Sequence, residues 1–413
     1  MQGARLGIVL FALLSRAGSS AAAPVRPAPA LPPPPGATVN VSTEVQLRDA
    51  VASLASNTTI VVAPGTYSLR DALYVNGTFT NIGIRGATGN SDDVVLAGLG
   101  MANASVPYGI WVGGNVRGMT IANLTLRDVF YHPIILNAGA QSPLVHNVHL
   151  INAGQQFVKS NPNPAGGGVD NGIVEYSVIE YETTSRDAYT NGVDVHTGRN
   201  WIIRHNLFRN IRAPQGQLAG PAILMWNASS GTLAEGNTFV NCQREIAFGL
   251  IERTPDDHTG GIVRNNFIYR DKTIAGDAAI GVFDSPNTQV LHNTILASGT
   301  YLSPIEYRFA HTTAVLIANN LLDGAILARD GATGTAVGNV TTASPALFVN
   351  PSAADLRLKA TAAAAIDRVA VIANCPADWE GESRPQGSAA DVGADEYSPG
   401  AALSPPKKLR VVR

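Results

Sequence analysis

A six-residue pattern recurs along the middle of this 413-residue chain and constrains its fold more than any other feature. Each copy begins and ends with an apolar residue and is marked by its fourth residue. The fourth residues of the eight copies are Leu124, Val148, Ser177, Asn206, Asn237, Asn266, Asn293 and Asn320. Successive copies lie 24 to 31 residues apart. Such a period indicates a repeat protein in which each repeat forms one turn of a solenoid.

A second strand-like segment precedes most copies by one turn. These segments are Ile110–Gly113, Ile134–Asn137, Val193–His196, Ile246–Gly249, Ile280–Phe283 and Ile305–Arg308. Two or three short strands per repeat predict an all-β coil whose turns stack as parallel strands about 4.8 Å apart. The five consecutive asparagines at the fourth position can hydrogen-bond along such a stack. We therefore assign them a structural role.

The two ends of the chain differ from the repeats. Residues 1–23 read as a secretory signal peptide, with Arg5, the apolar stretch Leu6–Leu14 and a small-residue cleavage site at Ala21-Ala22-Ala23. Residues 24–37 are proline-rich and predict an extended linker. Residues 398–413 predict a flexible tail. We expect a secreted or periplasmic protein.

A short helix is predicted where the linker ends. Thr43 and Gln46 fit a capping box, and the apolar spacing that follows gives one buried stripe. Its expected members are Val45, Leu47, Val51 and Leu54.

Charge and cysteine content exclude several classes of protein. Charged residues make up 15% of the chain and the net charge is −2, which argues against nucleic-acid binding. No segment reaches about 18 unbroken apolar residues, so no membrane span is expected. Two cysteines, Cys242 and Cys375, exclude a disulfide framework and leave their own pairing open. We expect a monomer.

The repeats and both ends resemble the right-handed parallel β-helix proteins of the pectin-lyase-like superfamily. The predicted helix followed by Pro64-Gly65-Thr66-Tyr67 is similar to that superfamily's N-terminal cap, and Asp391–Tyr397 is similar to the end of many bacterial members. The resemblance implies a right-handed single-stranded β-helix domain over residues 38–397. Its core turns would span about 108–340 and its C-terminal cap 341–397.

Candidate functional residues cluster around one repeat. In Val193–His196, alternation turns Asp194 and His196 outward together. The next repeat brings Trp226 beside His196. The preceding one brings Lys159 close, although alternation from Phe157 would turn it inward unless the strand ends there. The flanking loops and turns add further charged and aromatic candidates: Arg186, Asp187, Tyr189 and Arg199.

These residue types suit chemistry on uronic acids. An imidazole can act as base for the C5 proton, and a neighbouring carboxylate would orient it, which gives the roles of His196 and Asp194. Lys159 or Arg199 would neutralise the sugar carboxylate. Trp226 and Tyr189 would contact sugar rings. Two outward residues four turns further on, Glu306 and Arg308, lie about 19 Å from Asp194 and would contact the same polymer.

The stretch Asn191–Asn241 resembles polysaccharide lyase family 6, the alginate and chondroitin lyases. Aligned by repeat, that family's catalytic Lys falls on His196 and its Arg on Trp226. Its calcium carboxylates fall on Tyr189 and Asn191, so none of the family's residue types is retained. Mannuronan C5-epimerases carry Asp-Pro-His-Asp on such a turn. Here Asp194-Val-His196-Thr keeps the Asp and the His.

The residues leave several functions open. We expect an exported enzyme acting on an acidic polysaccharide, either a lyase working by β-elimination or a C5-epimerase. A glycoside hydrolase would use Asp187 with Asp194 as its carboxyl pair. A carbohydrate-binding or surface β-helix protein without catalysis is the third reading. No metal ligands are assigned. Calcium stays open because Asp256-Asp257-His258 forms an acidic loop without a clear ligand set.

Overall fold

The structure is a computed structural model that describes residue 23, residues 25–297 and residues 299–398. The chain winds into stacked turns of short parallel strands, which confirms the predicted parallel β-helix with one short α-helix. Two parts of the sequence prediction, the signal peptide up to Ala22 and the tail beyond residue 398, lie outside the described residues. No helix within the described ranges is long and apolar enough to cross a membrane.

Each full turn contributes one strand to each of three columns. The first column contains β4 (Leu73–Gly86), β6 (Tyr108–Ala122), β8 (His132–Leu136), β11 (Val158–Ser160), β14 (Val193–His196), β17 (Ile223–Trp226), β21 (Ile246–Phe248), β25 (Ile280–Phe283), β28 (Ile305–Arg308) and β31 (Ile326–Arg329). Its two long strands, β4 and β6, continue into the second column. The second adds β1 (Ala37–Val41), β2 (Thr58–Val62), β9 (Leu144–His146), β12 (Ile173–Glu175), β15 (Ile202–Arg204), β19 (Leu233–Glu235), β23 (Ile262–Arg264), β26 (Gln289–Leu291), β29 (Val315–Ala318) and β32 (Gly334–Val337).

The third column forms a separate ten-stranded sheet. It contains β3 (Gly65–Ser68), β5 (Val94–Ala97), β7 (Thr125–Val129), β10 (His149–Ala153), β13 (Val178–Glu180), β16 (Leu207–Arg209), β20 (Thr238–Val240), β24 (Phe267–Tyr269), β27 (Thr294–Leu296) and β30 (Leu321–Leu322). The remaining elements are α1 (Glu44–Ala52), the strands β18 (Ser229–Ser230), β22 (His258–Thr259), β33 (Phe348–Asn350) and β34 (Asp355–Leu358), and the 3-10 turns Ser91–Asp93, Pro345–Leu347 and Pro351–Ala353.

Parallel pairing keeps equivalent residues of successive turns in register. In the first column Val193 pairs with Ile223, and Val195 pairs with Met225. All four side chains are buried in one continuous core that runs through the coil. Because side chains alternate along a strand, the residues between them face outward. The first column therefore presents an outer face flanked by the loops that enter and leave it.

The asparagines of the repeat occupy the tight turn between the second and third columns. The Nδ2 of Asn206 donates to the Oδ1 of Asn237 at 3.0 Å, and the same contact continues through Asn266, Asn293 and Asn320 to Asn339. Each Oδ1 also accepts the backbone N–H of the preceding asparagine in the column. These amides satisfy polar backbone atoms that the turn would otherwise bury unpaired.

The start of the coil differs from expectation in two respects. Parallel pairing begins with β1 and β2, well before residue 108, because β1, β2 and β4 lie before the first copy of the six-residue pattern yet pair in the same way. In α1, Thr43 caps the backbone N–H of Gln46 as predicted, but Val45 is 53% exposed and Ala50 takes a buried position.

The proline-rich segment, predicted as a linker, lies against the coil. The carbonyl of Pro32 accepts from the Nη1 of Arg85, and the carbonyl of Pro29 lies 3.0 Å from the Nε2 of His146. The Nη1 of Arg26 donates to the carbonyl of Trp379 in the C-terminal region. The segment thus contacts both early turns of the coil and the C-terminal region that follows its last turn.

Both cysteines are buried and carry free thiols. Burial raises the pKa of the Cys375 thiol and that of Cys242, so both groups stay protonated at neutral pH. The question of their pairing is thereby answered: no disulfide joins them.

Replacing Asn266 with Ala should lower the free energy of unfolding by about 2–5 kcal/mol, because several buried polar groups lose their partners at once. These groups include the backbone N–H of Asn237 and the carbonyl of Ala234. Urea unfolding followed by circular dichroism measures the change. Asn339→Ala, at the half-buried end of the asparagine column, is the matched control and should lower the free energy of unfolding clearly less. Equal losses of free energy would contradict the view that the buried asparagines stabilise the turns by pairing buried polar groups.

Candidate active site

Three neighbouring strands of the first column bring four predicted residues together. Lys159 on β11 pairs with Asp194 on β14, and His196 pairs with Trp226 on β17. The inward orientation expected for Lys159 is wrong. Its strand begins at Val158, which pairs with the buried Val193, so the alternation starts one residue later than the sequence indicates.

Direct contacts link the four side chains, which we call the Lys159 cluster (Lys159, Asp194, His196 and Trp226). The Nζ of Lys159 donates to the Oδ2 of Asp194 at 2.6 Å and lies 2.8 Å from the Nε2 of His196. The Nε1 of Trp226 donates to the Oδ1 of Asp194 at 2.9 Å. Lys159 is 5% exposed and Asp194 is 1% exposed. The ammonium and the carboxylate are therefore a largely desolvated pair, which persists because each charge has a partner.

The protonation state of His196 follows from its surroundings. Burial lowers the pKa of its imidazole to about 4; Asp194 opposes this shift, whereas the charges of Lys159 and Arg253 add to it. At neutral pH the ring is therefore uncharged and one of its nitrogens is free of a proton. A neutral imidazole beside an ammonium can accept a proton from a bound molecule.

Sequence reasoning missed two residues that contact the Lys159 cluster. The side-chain amide of Asn227 lies 3.3 Å from the Nδ1 of His196, and the guanidinium of Arg253 lies 5.5 Å from the centre of the Trp226 ring. Asn227 directly follows Trp226, so its position at the end of a candidate strand was a usable signal. Arg253 lies just before the acidic loop noted from the sequence, but its side-chain direction depends on tertiary contacts.

An aromatic pair, the half-buried Trp111 and the exposed Tyr74, lies on the same outer face, towards the N-terminal end. Trp111 occupies the outward position two turns before Lys159, about 10 Å away, and Tyr74 lies one turn further. Their ring centres are 5.9 Å apart. The indole of Trp111 lies over Gly113, where an added Cβ would come within 2.3 Å of the ring. Glycine thus allows the indole to lie along the strand.

The predicted loop residues have contacts of their own. The guanidinium of Arg186 lies 4.3 Å from the centre of the Phe130 ring, and its Nη1 donates to the Phe130 carbonyl at 2.9 Å. The Oδ1 of Asp187 accepts the backbone N–H of Tyr189 at 2.8 Å. Tyr189 itself is 56% exposed. Arg186 therefore anchors the loop to an earlier turn, whereas the Tyr189 ring is accessible to a ligand.

The other predicted binding residues lie apart from the Lys159 cluster. Arg199 is exposed, and its backbone N–H donates to the Oδ1 of Asp170. Glu306 is buried and accepts from the Nη1 of Arg329 at 3.0 Å. Arg308 forms an ion pair with Asp330. Within the described ranges, no recorded contact joins these residues to the cluster.

The positions that correspond to family calcium ligands do not fit a calcium ion. Tyr189 has no carboxylate, and the Asn191 amide donates to the carbonyl of Pro221 and accepts from the Nε2 of Gln156. Calcium prefers several oxygen ligands with carboxylates among them. Neither position therefore supplies a carboxylate ligand for calcium.

The acidic loop predicted from Asp256-Asp257-His258 is mostly buried. Asp257 accepts the backbone N–H groups of Leu250 and Asn227, both at 2.7 Å. His258 is fully buried, and burial lowers its pKa to about 3. Asp257 and His258 thus hold the loop together, and Asp256 is the member left half-buried.

A large cleft lies elsewhere on the coil. It has a volume of about 770 Å³ and lies between the loops that follow β13, β16 and β24. Thr183, Arg212, Gln217 and Thr273 are among its lining residues, and no member of the Lys159 cluster is. We place the candidate site at the cluster because the linked charged groups are there, whereas the cleft offers size without such a group.

Comparisons with known proteins agree on the fold. An alginate lyase from Paenibacillus sp. is 17% identical, with a TM-score of 0.53 over 72% of this chain and 99% of that one. Pectate lyase Pel9A is 14% identical with a TM-score of 0.44, covering 85% of this chain and 90% of that one. The Streptococcus pneumoniae adhesin PfbA is 14% identical with a TM-score of 0.42, covering 72% and 92%. No protein-family profile and no curated protein sequence matches the chain.

Replacing His196 with Gln should change how stability depends on pH. The folded pKa of about 4 lies below the ordinary 6.5, so between these values the unfolded chain binds a proton that the folded protein excludes. The wild type should therefore lose stability relative to H196Q as pH falls from 6.5 towards 4, by at most about 1.4 kcal/mol per pH unit. Urea unfolding at several pH values measures this. A difference that stays constant would contradict the neutral imidazole.

Proposed function

We propose that this protein is an exported lyase that cleaves a uronate-containing polysaccharide by β-elimination. The observation that carries the proposal is the Lys159 cluster, in which an ammonium and a neutral imidazole lie 2.8 Å apart on the outer face of the coil. The alginate lyase with the same fold acts on a uronate polymer, but that likeness supports the fold alone. The proposed substrate class rests on the side chains.

β-Elimination requires three tasks. The uronate carboxylate must be neutralised, the C5 proton must be removed, and the departing O4 must gain a proton. The C5–H and C4–O4 bonds break and a C4=C5 double bond forms. In our proposal the Lys159 ammonium binds the carboxylate and His196 accepts the C5 proton. The imidazolium so formed, or a water molecule, then gives a proton to the departing O4, so that protons and charge balance.

Substrate binding would free the base. Two recorded contacts occupy Lys159, one to Asp194 and one to the Nε2 of His196. An ammonium has three N–H donors, so one remains to attract the incoming carboxylate. As Lys159 moves towards that carboxylate, the lone pair of His196 becomes available. Asp194 is then a positioning residue that keeps Lys159 charged and in place.

The alternatives fit the contacts less well. A hydrolase would need Asp194 as an acid or a nucleophile, but hydrogen bonds from Lys159 and Trp226 occupy both of its oxygens. Its proposed partner, Asp187, caps the backbone of Tyr189. A C5-epimerase shares the proton abstraction and differs in reprotonating C5 from the opposite side. A binding protein without catalysis would not require a buried ammonium next to a neutral imidazole.

The outer face suits an extended polymer. Trp111 and Tyr74 lie along the same column as Lys159, and Tyr74 is 46% exposed. Flat aromatic rings can contact the apolar faces of sugar rings. The net charge of −2 gives no general attraction to an acidic polymer, so local cations such as Lys159 must supply it. We propose a monomer, secreted or periplasmic, whose catalytic domain spans residues 38–397.

Replacing His196 with Asn should reduce the turnover number by about 100- to 10,000-fold, because a general base contributes that much. The assay follows the ultraviolet absorbance of unsaturated product on alginate, polygalacturonate and chondroitin. His205→Asn is the matched control, since burial also lowers the His205 pKa to about 4 but this residue lies outside the first column.

Full turnover in H196N, or product from none of these polymers, would refute the assignment. NMR of recovered polymer separates epimerisation from binding alone.

Replacing Trp111 with Ala should raise the KM for long polymers about 3- to 10-fold, equivalent to roughly 1 kcal/mol of lost stacking. The turnover number should change little, because Trp111 lies two turns from Lys159. The shortest cleavable oligosaccharide serves as an internal control and should be unaffected. An equal KM increase for both substrates would exclude a separate subsite.

A further inference from the structure

A second group of polar side chains lies beyond the Lys159 cluster, where successive turns leave the first column. Asp256 comes from the loop before β22, Asp284 follows β25, and His311 follows β28. The Nδ1 of His311 is 3.3 Å from the Oδ1 of Asp284 and 4.0 Å from the Oδ1 of Asp256. One ligand atom from each residue lies within 4.8 Å of the others. The stacking of turns thus brings three potential metal ligands to one point.

The two carboxylates each present one oxygen to this point. The Oδ2 of Asp284 accepts the backbone N–H groups of Arg253 and Asp257, at 2.7 and 2.9 Å. The Oδ2 of Asp256 accepts from the Oγ1 of Thr259. The Oδ1 of Asp284 is buried without a hydrogen-bond partner among the described residues, and the Nδ1 of His311 lies 3.3 Å from it. A buried carboxylate oxygen without a hydrogen bond is costly and calls for a partner.

We propose that Asp256, Asp284 and His311 bind a divalent transition-metal ion such as Zn²⁺. Ligands about 2.1 Å from a tetrahedral zinc ion lie roughly 3.4 Å from one another. The 3.3 Å separation already matches this, and the 4.0 Å separation requires a small rotation of Asp256, which is half-buried. Three protein ligands leave the fourth position for water.

The donor set favours a transition metal over calcium. Calcium takes six to eight oxygen ligands, whereas this group offers two carboxylates and one imidazole. Imidazole nitrogen suits zinc and its neighbours in the first transition row. The site also differs from the calcium positions implied by family resemblance, which fall on Tyr189 and Asn191.

The proposed ion would brace the loop beside the Lys159 cluster. Asp284 holds the backbone of Arg253 and Asp257, and Arg253 lies against Trp226. Asp257 in turn accepts the backbone N–H of Asn227, whose side chain contacts His196. A metal ion bound at Asp284 would therefore hold this loop in place. The role of the ion would be structural, because none of its ligands belongs to the Lys159 cluster.

The test measures zinc binding to the untagged, chelator-treated full chain by isothermal titration calorimetry and thermal melting. We expect one Zn²⁺ per chain and a higher Tm in its presence. His311→Asn and Asp256→Asn should each weaken the affinity at least about 10-fold and remove the Tm increase. Both residues are accessible enough for folding to survive, since His311 is 49% exposed on its side chain and Asp256 is half-buried.

Asp330→Asn is the matched control, because Asp330 is an accessible acidic residue on the next turn, paired with Arg308 and outside the group. It should bind zinc like the wild type. Absence of stoichiometric zinc binding, or binding that H311N and D256N leave unchanged, would overturn the proposal. Calcium binding that H311N does not weaken would also overturn it, since the imidazole would then be no ligand. These readouts do not depend on any enzymatic activity.

Discussion

Hydrogen bonding between successive parallel turns is the constraint on which the rest of the molecule depends. It places equivalent residues of adjacent turns about 4.8 Å apart, so side chains distant in sequence become neighbours wherever their register agrees. Lys159 meets Asp194 across 35 residues in this way, and Asn206 meets Asn237 across 31. One rule therefore builds the core, the asparagine column and the Lys159 cluster.

The Lys159 cluster and the group of Asp256, Asp284 and His311 differ in how their polar atoms are satisfied. In the Lys159 cluster, the ammonium and the carboxylate of Asp194 compensate each other, and Trp226 completes the hydrogen bonds of Asp194. In the other group, the buried Oδ1 of Asp284 has no hydrogen-bond partner among the described residues. That unsatisfied oxygen favours a bound ion, whereas the Lys159 cluster needs none.

The fold was predictable because the six-residue pattern keeps apolar residues at the same positions in every repeat. The outward directions of Asp194, His196 and Trp226 were predictable because side chains alternate along strands that the sequence marks clearly. The sequence placed Lys159 near the site, but the predicted direction of its side chain was wrong. A strand of three residues has too few alternating positions to show where it starts. Arg253 and His311 could not be predicted, since both lie outside strands and their positions depend on loop packing. The exposure of Val45 and the docking of the proline-rich segment depend on tertiary contacts in the same way.

The docked proline-rich segment changes how the coil can come apart. A solenoid whose turns contact only their neighbours can open progressively from either end. Here Arg26 contacts the carbonyl of Trp379 across 353 residues, while Pro29 and Pro32 contact His146 and Arg85. Separating the early turns from the C-terminal region then also breaks contacts of this segment. It couples parts of the chain that a simple stack of turns would leave independent.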